Sequence, residues 1–432
     1  MIRVGIIGLG TVGAGTYRIL TQNHSLIRSR TGLNIKVEKI ADIDTNKPKE
    51  MGLKEGVFTT DAYEIINDKK IDIVVELIGG TTTAYDLITE SIKKKKGIIT
   101  ANKHLLALRG KEIFELARKS GSAIGFEASV CGGIPVIRAV REGLVANRIT
   151  NIMGILNGTS NYIMTKMTEE GKPFSVALKD AQRLGFAEQD PTFDVEGIDA
   201  AHKLCILINL AFGCYININD ISIKGITKIE PVDIELAREF GYKIKLLALA
   251  RQDGNEIEAR VEPAMIPITH PMSSVNDVFN AVYIVGDRVG PNMFYGRGAG
   301  SEPTGSAVVS DIVDIAQKIA SKNTKANLSG LGFNNKIKIK DSDAACVPFY
   351  LRFTAQDRPG VLSKISGILA RYMISISTVI QKGREENGYV PIVMLTHEAV
   401  EGDIKKAMEE IDRLPFIRGE SIQIRIEEGL VN

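Results

Sequence analysis

IRVGIIGLGTVGAGTYRIL, residues 2–20, is the stretch on which the fold turns. A short β-branched run gives way to Gly8, Gly10 and Gly13, and a helix-like pattern follows through Tyr17, Ile19 and Leu20. G-x-G-x-x-G between a strand and a helix lets the backbone turn tightly and approach a pyrophosphate, whose charge then sits at the helix N-terminus. Gly15 adds a further close contact. The bland reading is a glycine-rich turn without ligand; the βα context and an acidic strand end downstream favour a dinucleotide site.

That strand end is Asp42, which closes a second strand predicted over Ile35 to Ala41. A carboxylate there bonds the adenosine ribose diol and repels a 2′-phosphate, which favours NAD. Asp42 lies farther beyond Gly13 than the usual spacing of about 20 residues, and Lys47 and Lys49 follow, able to neutralise a phosphate instead. Both NAD and NADP stay open. Further strands are predicted at IDIVVELIGG from Ile71, GIITANK from Gly97 and Ala123 to Glu127, with helices over Thr83 to Lys96 and Gly110 to Lys119. Strands alternating with helices predict a Rossmann-type parallel sheet wound on both faces over residues 1–135.

Past Pro135 the pattern changes. Helices are expected at Val136 to Leu144, Ser160 to Glu170, Phe174 to Leu184 and Ile198 to about Phe212, then hairpin-like segments such as ARVEPAMIPI and AVYIVGDRVGPNMFYGRG. This predicts a mixed α+β domain over 136–303, with the helix Thr304 to Ser321 returning to complete the first domain. Residues 322–346 read as a linker. From 347 to 432 the order strand, helix, strand, strand, helix, strand is that of a ferredoxin-like module.

Composition narrows the function classes. A chain of 432 residues implies about two to four domains. A net charge of +2 leaves no electrostatic footprint for nucleic acid, and the one basic run, Lys93 to Lys96, is placed to close a helix. No apolar stretch is long enough to span a bilayer, and no signal peptide precedes the first strand, which points to the cytoplasm. The four cysteines show neither CxxC pairing nor zinc-like spacing and read as reduced thiols.

Chemistry-bearing residues lie in four places. DAAHKLCIL sets Asp199 and Lys203 at i and i+4 on one helix face. A buried Lys beside an Asp can give a proton to a carbonyl oxygen as hydride arrives at carbon, although such a pair is more often a solvated ion pair. Upstream, Glu188, Asp190, Asp194 and Glu196 crowd a loop after Gly185. Lys103 follows a strand on the carboxyl edge of the sheet, where ligands of open α/β sheets sit. Cys131, in EASVCGGIP, is either a nucleophile or a small residue in a tight bend.

Seven segments in order resemble the homoserine dehydrogenase family: GIIGLGTVGAG, VVELIGG, TANKHLLA, EASVCGGIPVI, MGILNGTSNYIM, GFAEQDPTFDVEGIDAAHKLCIL and YGRGAGSEPTGSAVVSD. FTAQDRPGVLSKISGILARYMISISTVIQKG is similar to an ACT domain, a regulatory amino-acid-binding module. The resemblance implies reversible hydride transfer between NAD(P) and the C4 carbonyl of L-aspartate 4-semialdehyde, giving L-homoserine on the route to threonine, methionine and isoleucine. It implies Lys203 as proton donor, Asp199 and Glu188 as substrate-binding residues, and Lys103 beside cofactor and substrate. Gly8, Gly10, Thr11, Val12 and Gly13 would hold the pyrophosphate, with Gly185 and Gly300 lining the site. It further implies a monovalent cation, usually sodium, on Glu127 and the carbonyls of Val130, Gly132 and Ile134, a homodimer or homotetramer, and an amino-acid effector, threonine, at paired ACT domains.

Two other classes compete with it. A phosphate-dependent aspartate semialdehyde dehydrogenase would need Cys131 as a thiolate, and a non-enzymatic amino-acid sensor would use the ACT module alone.

Overall fold

Ile2 to Ile7 (β1) is buried along almost its whole length, as a parallel strand covered on both faces must be. A computed structural model describes residues 1–321, 337–383 and 388–428, and the chain divides into two compact units. The first comprises Met1–Gly158, Asp199–Asp220 and Val278–Ile337; the second comprises Thr159–Ile198, Ile221–Asp277 and Lys338–Asn432. The expected middle domain, 136–303, is therefore shared between them. One reason is local: Tyr215, just past the helix Ile198–Phe212, donates its hydroxyl to the Ala107 carbonyl at 2.7 Å, which keeps that segment with the first unit.

In the first unit, β1 continues through α1 (Thr11–Gln22) to β2 (Ile35–Ala41), β3 (Phe58–Thr59), β4 (Ile73–Glu76), β5 (Gly97–Thr100), α2 (Lys103–Ser120) and β6 (Ile124–Gly125). The six strands pair in parallel in the order β3-β2-β1-β4-β5-β6, so the topological switch lies between β1 and β4. Three strands that pair antiparallel follow, β7 (Ile149–Ile155), β8 (Phe279–Gly286) and β9 (Gly290–Arg297), with β8 between the other two. Between β7 and β8 in sequence comes α3 (Ile198–Phe212), buried nearly all round.

The helix α4 (Ser301–Ala320) packs its Val308, Ile312 and Ile315 into the core of β1, β4 and β5. Its crossing with α1 is close enough to exclude a side chain. A Cβ on Gly15 would stand 2.2 Å from the Ser301 carbonyl oxygen, and one on Gly305 would stand 2.8 Å from the Thr16 nitrogen.

Several local expectations change. Helix α2 begins at Lys103, not Gly110, because the Asn102 side chain caps it by accepting the Leu105 N–H at 3.0 Å; a non-helical Arg109 marks the break. The expected helix Val136 to Leu144 is one α-helical turn, Val136–Arg138, continued as a π-helix over Ala139–Gly143. Of the basic run expected to close a helix, Lys93 ends the helix Thr83–Lys93, whereas the Lys96 ammonium is buried and donates to the carbonyls of Asp68 and Ile71.

The second unit is organised on a long antiparallel hairpin, Tyr242–Asp253 with Glu256–Pro267. The βαββαβ order of the C-terminal module is present: Phe349–Gln356, Val361–Arg371, Ile376–Gln381, Tyr389–Thr396, Glu401–Asp412 and Ile422–Ile426. Its last strand also pairs in parallel with Glu256–Pro267, so module and hairpin share one sheet. Of the predicted linker, 322–336 lies outside the described residues. Lys338–Ile339 pairs with the start of the hairpin's second strand, and Cys346–Val347 pairs with Ala399–Val400.

Arg260, 1% exposed, is bound between Glu262 and Glu401 at 2.8 Å each, and Arg425 reaches Glu258 at 2.6 Å. Lys245 is buried too, donating to the Val275 carbonyl at 2.5 Å and to Asn161 and Asn276 at 3.2 Å. Burial, reinforced by the Lys243 charge, pushes its ammonium down to about 7. Between that value and the ordinary lysine range the unfolded chain holds a proton that the folded chain lacks, so stability rises with pH there. Lys245→Met abolishes this pH dependence. Its stability, measured by urea unfolding from pH 7 to 10, is expected to lose ground against wild type by roughly 1 kcal/mol per pH unit; parallel curves would refute the assignment.

Candidate active site

The glycine loop forms where β1 ends and α1 begins. Gly13 has to be glycine, because a Cβ there would stand 2.0 Å from the Gly8 carbonyl oxygen. Gly10 is the N-cap of α1 and no side chain caps it; no acid lies in the first turn. The N–H groups of the first turn, from Thr11, Val12 and Gly13, thus have no intrahelical acceptor and suit an anion.

Asp42 is drawn to this loop: its carboxylate accepts the Leu9 N–H at 2.5 Å and the Asp44 N–H at 2.9 Å, with Lys47 at 3.3 Å. Burial pushes the Asp42 carboxyl up, but those two N–H donors and the Lys47 charge outweigh it and hold it below its ordinary value. Gly8, Gly10, Asp42, Lys47, Asp61 and Gly79 are among the residues around a cleft of about 600 Å³. Its position at the switch point, its size and its uncapped helix fit a dinucleotide.

Across the switch, Glu76 at the end of β4 is almost wholly buried. It accepts from the Thr100 hydroxyl at 2.6 Å and from the N–H groups of Ile78 and Gly79, shaping the loop of β4 that faces the glycines. The sequence offered one signal for it, an acid ending an otherwise apolar strand. Asn102 donates to the Gly80 carbonyl at 2.7 Å and caps α2, which fixes the start of the helix bearing Lys103.

Lys103, Asp199 and Lys203 come together. Lys203 Nζ donates to Asp199 Oδ2 at 2.6 Å and to the Leu156 carbonyl at 2.6 Å, while Lys103 Nζ stands 3.0 Å from Asp199 Oδ1. Asn157 donates its side-chain amide to Asp199 at 2.8 Å. Asp199 and Lys203 are buried; Lys103 is 41% exposed at its side chain. Burial pushes the Asp199 carboxyl up, yet the Lys203 and Lys103 charges and the hydrogen bonds from Lys203 and Asn157 hold it well below the carboxylate range. A lysine on the first turn of a helix runs against the helix dipole, so the placement of Lys103 is a departure from local preference of the kind functional sites show. The His104 and His202 rings lie beside the cluster, 4.6 Å apart, and burial with the His104 charge lowers His202 to about 4.

This is a buried carboxylate holding two ammonium groups, one enclosed and one at the surface. It is suited to present a proton to an oxygen that gains charge during reaction. Leu156 and Asn157 were not singled out in the sequence, although both fall within MGILNGTSNYIM. Glu188 and Gly185 belong to the second unit, exposed on the turn after the helix Phe174–Arg183. Gly300 is the N-cap of α4, with φ +124°.

In the bend Glu127 to Ile134, the Glu127 carboxylate accepts the N–H groups of Ile137 and Arg138 at 2.8 Å each, and its own N–H donates to Asp311 at 2.8 Å. Burial raises Glu127 and lifts Asp311 to about 7, the neighbouring Glu127 charge adding to the latter. Both Glu127 carboxylate oxygens thus face backbone N–H groups, and of the carbonyls that the resemblance assigns to a cation, that of Ile134 accepts the Val136 N–H at 2.8 Å. No group of three or more His, Cys, Asp or Glu side chains able to hold a metal occurs among the described residues. Cys131 is 1% exposed and left-handed, with φ +53°. Burial pushes its thiol up, away from the thiolate that a nucleophile requires.

No helix among the described residues is long and apolar enough to cross a membrane. Three family models match the chain: homoserine dehydrogenase, NAD binding domain, over 8–127; homoserine dehydrogenase over 135–313; and the ACT domain over 349–416. A homoserine dehydrogenase of Pseudomonas aeruginosa is 43% identical, with 99% of each chain covered. The crystal structure of a homoserine dehydrogenase from Thiobacillus denitrificans superposes with a TM-score of 0.93 at 43% identity, covering 99% of this chain and 98% of that one. A hyperthermophilic archaeal homoserine dehydrogenase in complex with NADPH is similar at 26% identity and a TM-score of 0.62, covering 73% of this chain and 98% of its own.

Proposed function

The chain belongs to the homoserine dehydrogenase family, NAD(P)-dependent oxidoreductases of the CH–OH group, and from that premise we propose that Lys203 carries the proton of the reaction. The nicotinamide cofactor, when bound, supplies the hydride for C4 of L-aspartate 4-semialdehyde. Lys203 Nζ gives its proton to the carbonyl oxygen as that oxygen becomes the hydroxyl of L-homoserine, and takes it back in the reverse direction. Asp199 holds the ammonium in place, and Lys103, sharing the same carboxylate, adds a second cation at the open side. Glu188 binds the substrate ammonium, and Gly185 and Gly300 line the site. The observation that carries the reading is the Asp199 carboxylate bound by both lysines.

Gly8, Gly10, Thr11, Val12 and Gly13 hold the pyrophosphate, with Asp42 at the ribose end. Glu127 and the carbonyls of Val130, Gly132 and Ile134 would hold a monovalent cation, sodium by family resemblance, whose charge would fix the bend. Threonine is the effector we assign to paired ACT domains of a homodimer or homotetramer, in a cytoplasmic enzyme of threonine, methionine and isoleucine biosynthesis.

Initial rates with NADH and NADPH, each with and without threonine, test this reading. An ionised Asp42 disfavours a 2′-phosphate, so Asp42→Ser is expected to raise the ratio of kcat/KM for NADPH over NADH by ~10-fold. The ratio is the readout because losing the Leu9 contact weakens both cofactors alike. An unchanged ratio would remove Asp42 from the specificity argument, and rates indifferent to saturating threonine would remove the effector.

A further inference from the structure

We propose that Asn280 is a positioning residue for the proton donor: its side-chain amide fixes the Leu156 carbonyl on which the Lys203 ammonium rests, and the Cys131 thiol serves that amide as acceptor. The inference rests on the reading of Lys203 given above.

Asn280 lies on β8 and is 1% exposed. Its Nδ2 group has two hydrogens and two acceptors, the Leu156 carbonyl at 2.8 Å and Cys131 Sγ at 3.6 Å. The Leu156 carbonyl also receives Lys203 Nζ. An amide oxygen and nitrogen are interchangeable in shape, but a backbone carbonyl only accepts, so it is the nitrogen that faces Leu156. Oδ1 is left with no hydrogen-bond partner among the described residues. A buried polar atom without a partner costs stability, and an apolar side chain of this size avoids that cost. What the amide supplies and an apolar side chain cannot is the donor to Leu156.

The neighbourhood grips this amide tightly. A Cβ on Gly298 would fall 2.2 Å from Asn280 Cγ, and one on Gly158 would fall 3.5 Å from Oδ1. Cys131 adopts its left-handed conformation with its thiol against Nδ2. The peptide that follows is tied from its other side, since Asn157 donates to Asp199. The Leu156 to Asn157 segment therefore holds both members of the Asp199–Lys203 pair, and Asn280 is its anchor. An ammonium with one of its acceptors free to move spends less time aligned on the substrate oxygen, and misplacement of this kind acts on turnover rather than on cofactor binding.

The test is the pH dependence of kcat and KM for aldehyde reduction by the full chain. Asn280→Leu, which keeps the branching of the side chain and removes the donor, is expected to lower kcat ~10–100-fold with KM for NADPH changed less than about twofold. Asn280→Asp is the diagnostic variant. Its ionised carboxylate repels the Leu156 carbonyl, whereas its protonated form carries an O–H that donates as the amide does. The ratio of its kcat to that of wild type is thus expected to climb as pH falls, a signature that a packing role does not produce. If Asn280→Leu fails to fold, the Asn280→Asp ratio decides alone. Asn280→Leu turnover within twofold of wild type, or a pH-flat ratio for Asn280→Asp, overturns the inference. Near-normal turnover in Lys203→Ala would instead sink the proton-donor reading itself, so the two failures are distinct.

Discussion

Lys203→Ala is expected to lower kcat for aldehyde reduction by roughly 10²–10⁴-fold while NADPH affinity stays within about twofold. The size follows from what is removed. The alkoxide formed as hydride reaches carbon needs a proton at once, and the enclosed Lys203 ammonium, oriented by Asp199 and the Leu156 carbonyl, is the group we propose to deliver it. The cofactor cleft around Gly8, Gly10 and Asp42 does not involve Lys203, which is why affinity is spared. Single-turnover rates and a fluorescence titration with NADPH separate the two effects. Near-normal turnover would transfer the role to Lys103, whose ammonium shares the same carboxylate.

Asp199→Asn is expected to cost both activity and stability: kcat/KM down by roughly 10²-fold or more and unfolding free energy down by roughly 3–5 kcal/mol. The change is nearly isosteric, so packing is not the cause. Two ammonium groups lose their shared counter-charge, and one of them is buried, where an unpaired charge is most unfavourable. Removal of a neighbouring carboxylate also disfavours the protonated amine, so the alkaline limb of the rate profile is expected to move to lower pH. A stable Asp199→Asn protein with an unmoved limb would mean that the carboxylate holds substrate and not the donor.

Much of this site was legible because its decisive spacing is local. Asp199 and Lys203 are one helical turn apart, and Lys103 follows a strand whose end faces the ligand side of any open parallel sheet. What stayed hidden was non-local or carried by the backbone. No pattern in ILNGTS says that the Leu156 carbonyl receives an ammonium, and Asn280 is distant in sequence from every group it serves. The fold divides in the same way. The C-terminal module was readable because its helix Val361–Arg371 has one apolar face, and the glycine loop marked the parallel sheet. The strands Ile149–Ile155 and Tyr242–Asp253 were missed, since buried strands carrying polar residues at scattered positions show no clean alternation. Helix α2 began earlier than expected because its cap, Asn102, lies inside a motif read as strand end.

The strand Ile422–Ile426 completes the C-terminal module and at the same time borders the hairpin strand Glu256–Pro267. A chain cut before residue 347 would bare the backbone donors and acceptors of that hairpin, an invitation to intermolecular pairing. It would also withdraw Arg425 from Glu258 and the Glu401 carboxylate from Arg260, leaving charges stranded in what had been interior. Truncation is consequently a poor instrument for asking whether the module regulates, because any loss of feedback and loss of solubility would arrive together. Whether an amino acid acts through the module is better asked by single exchanges on its solvent side, where the shared sheet stays whole.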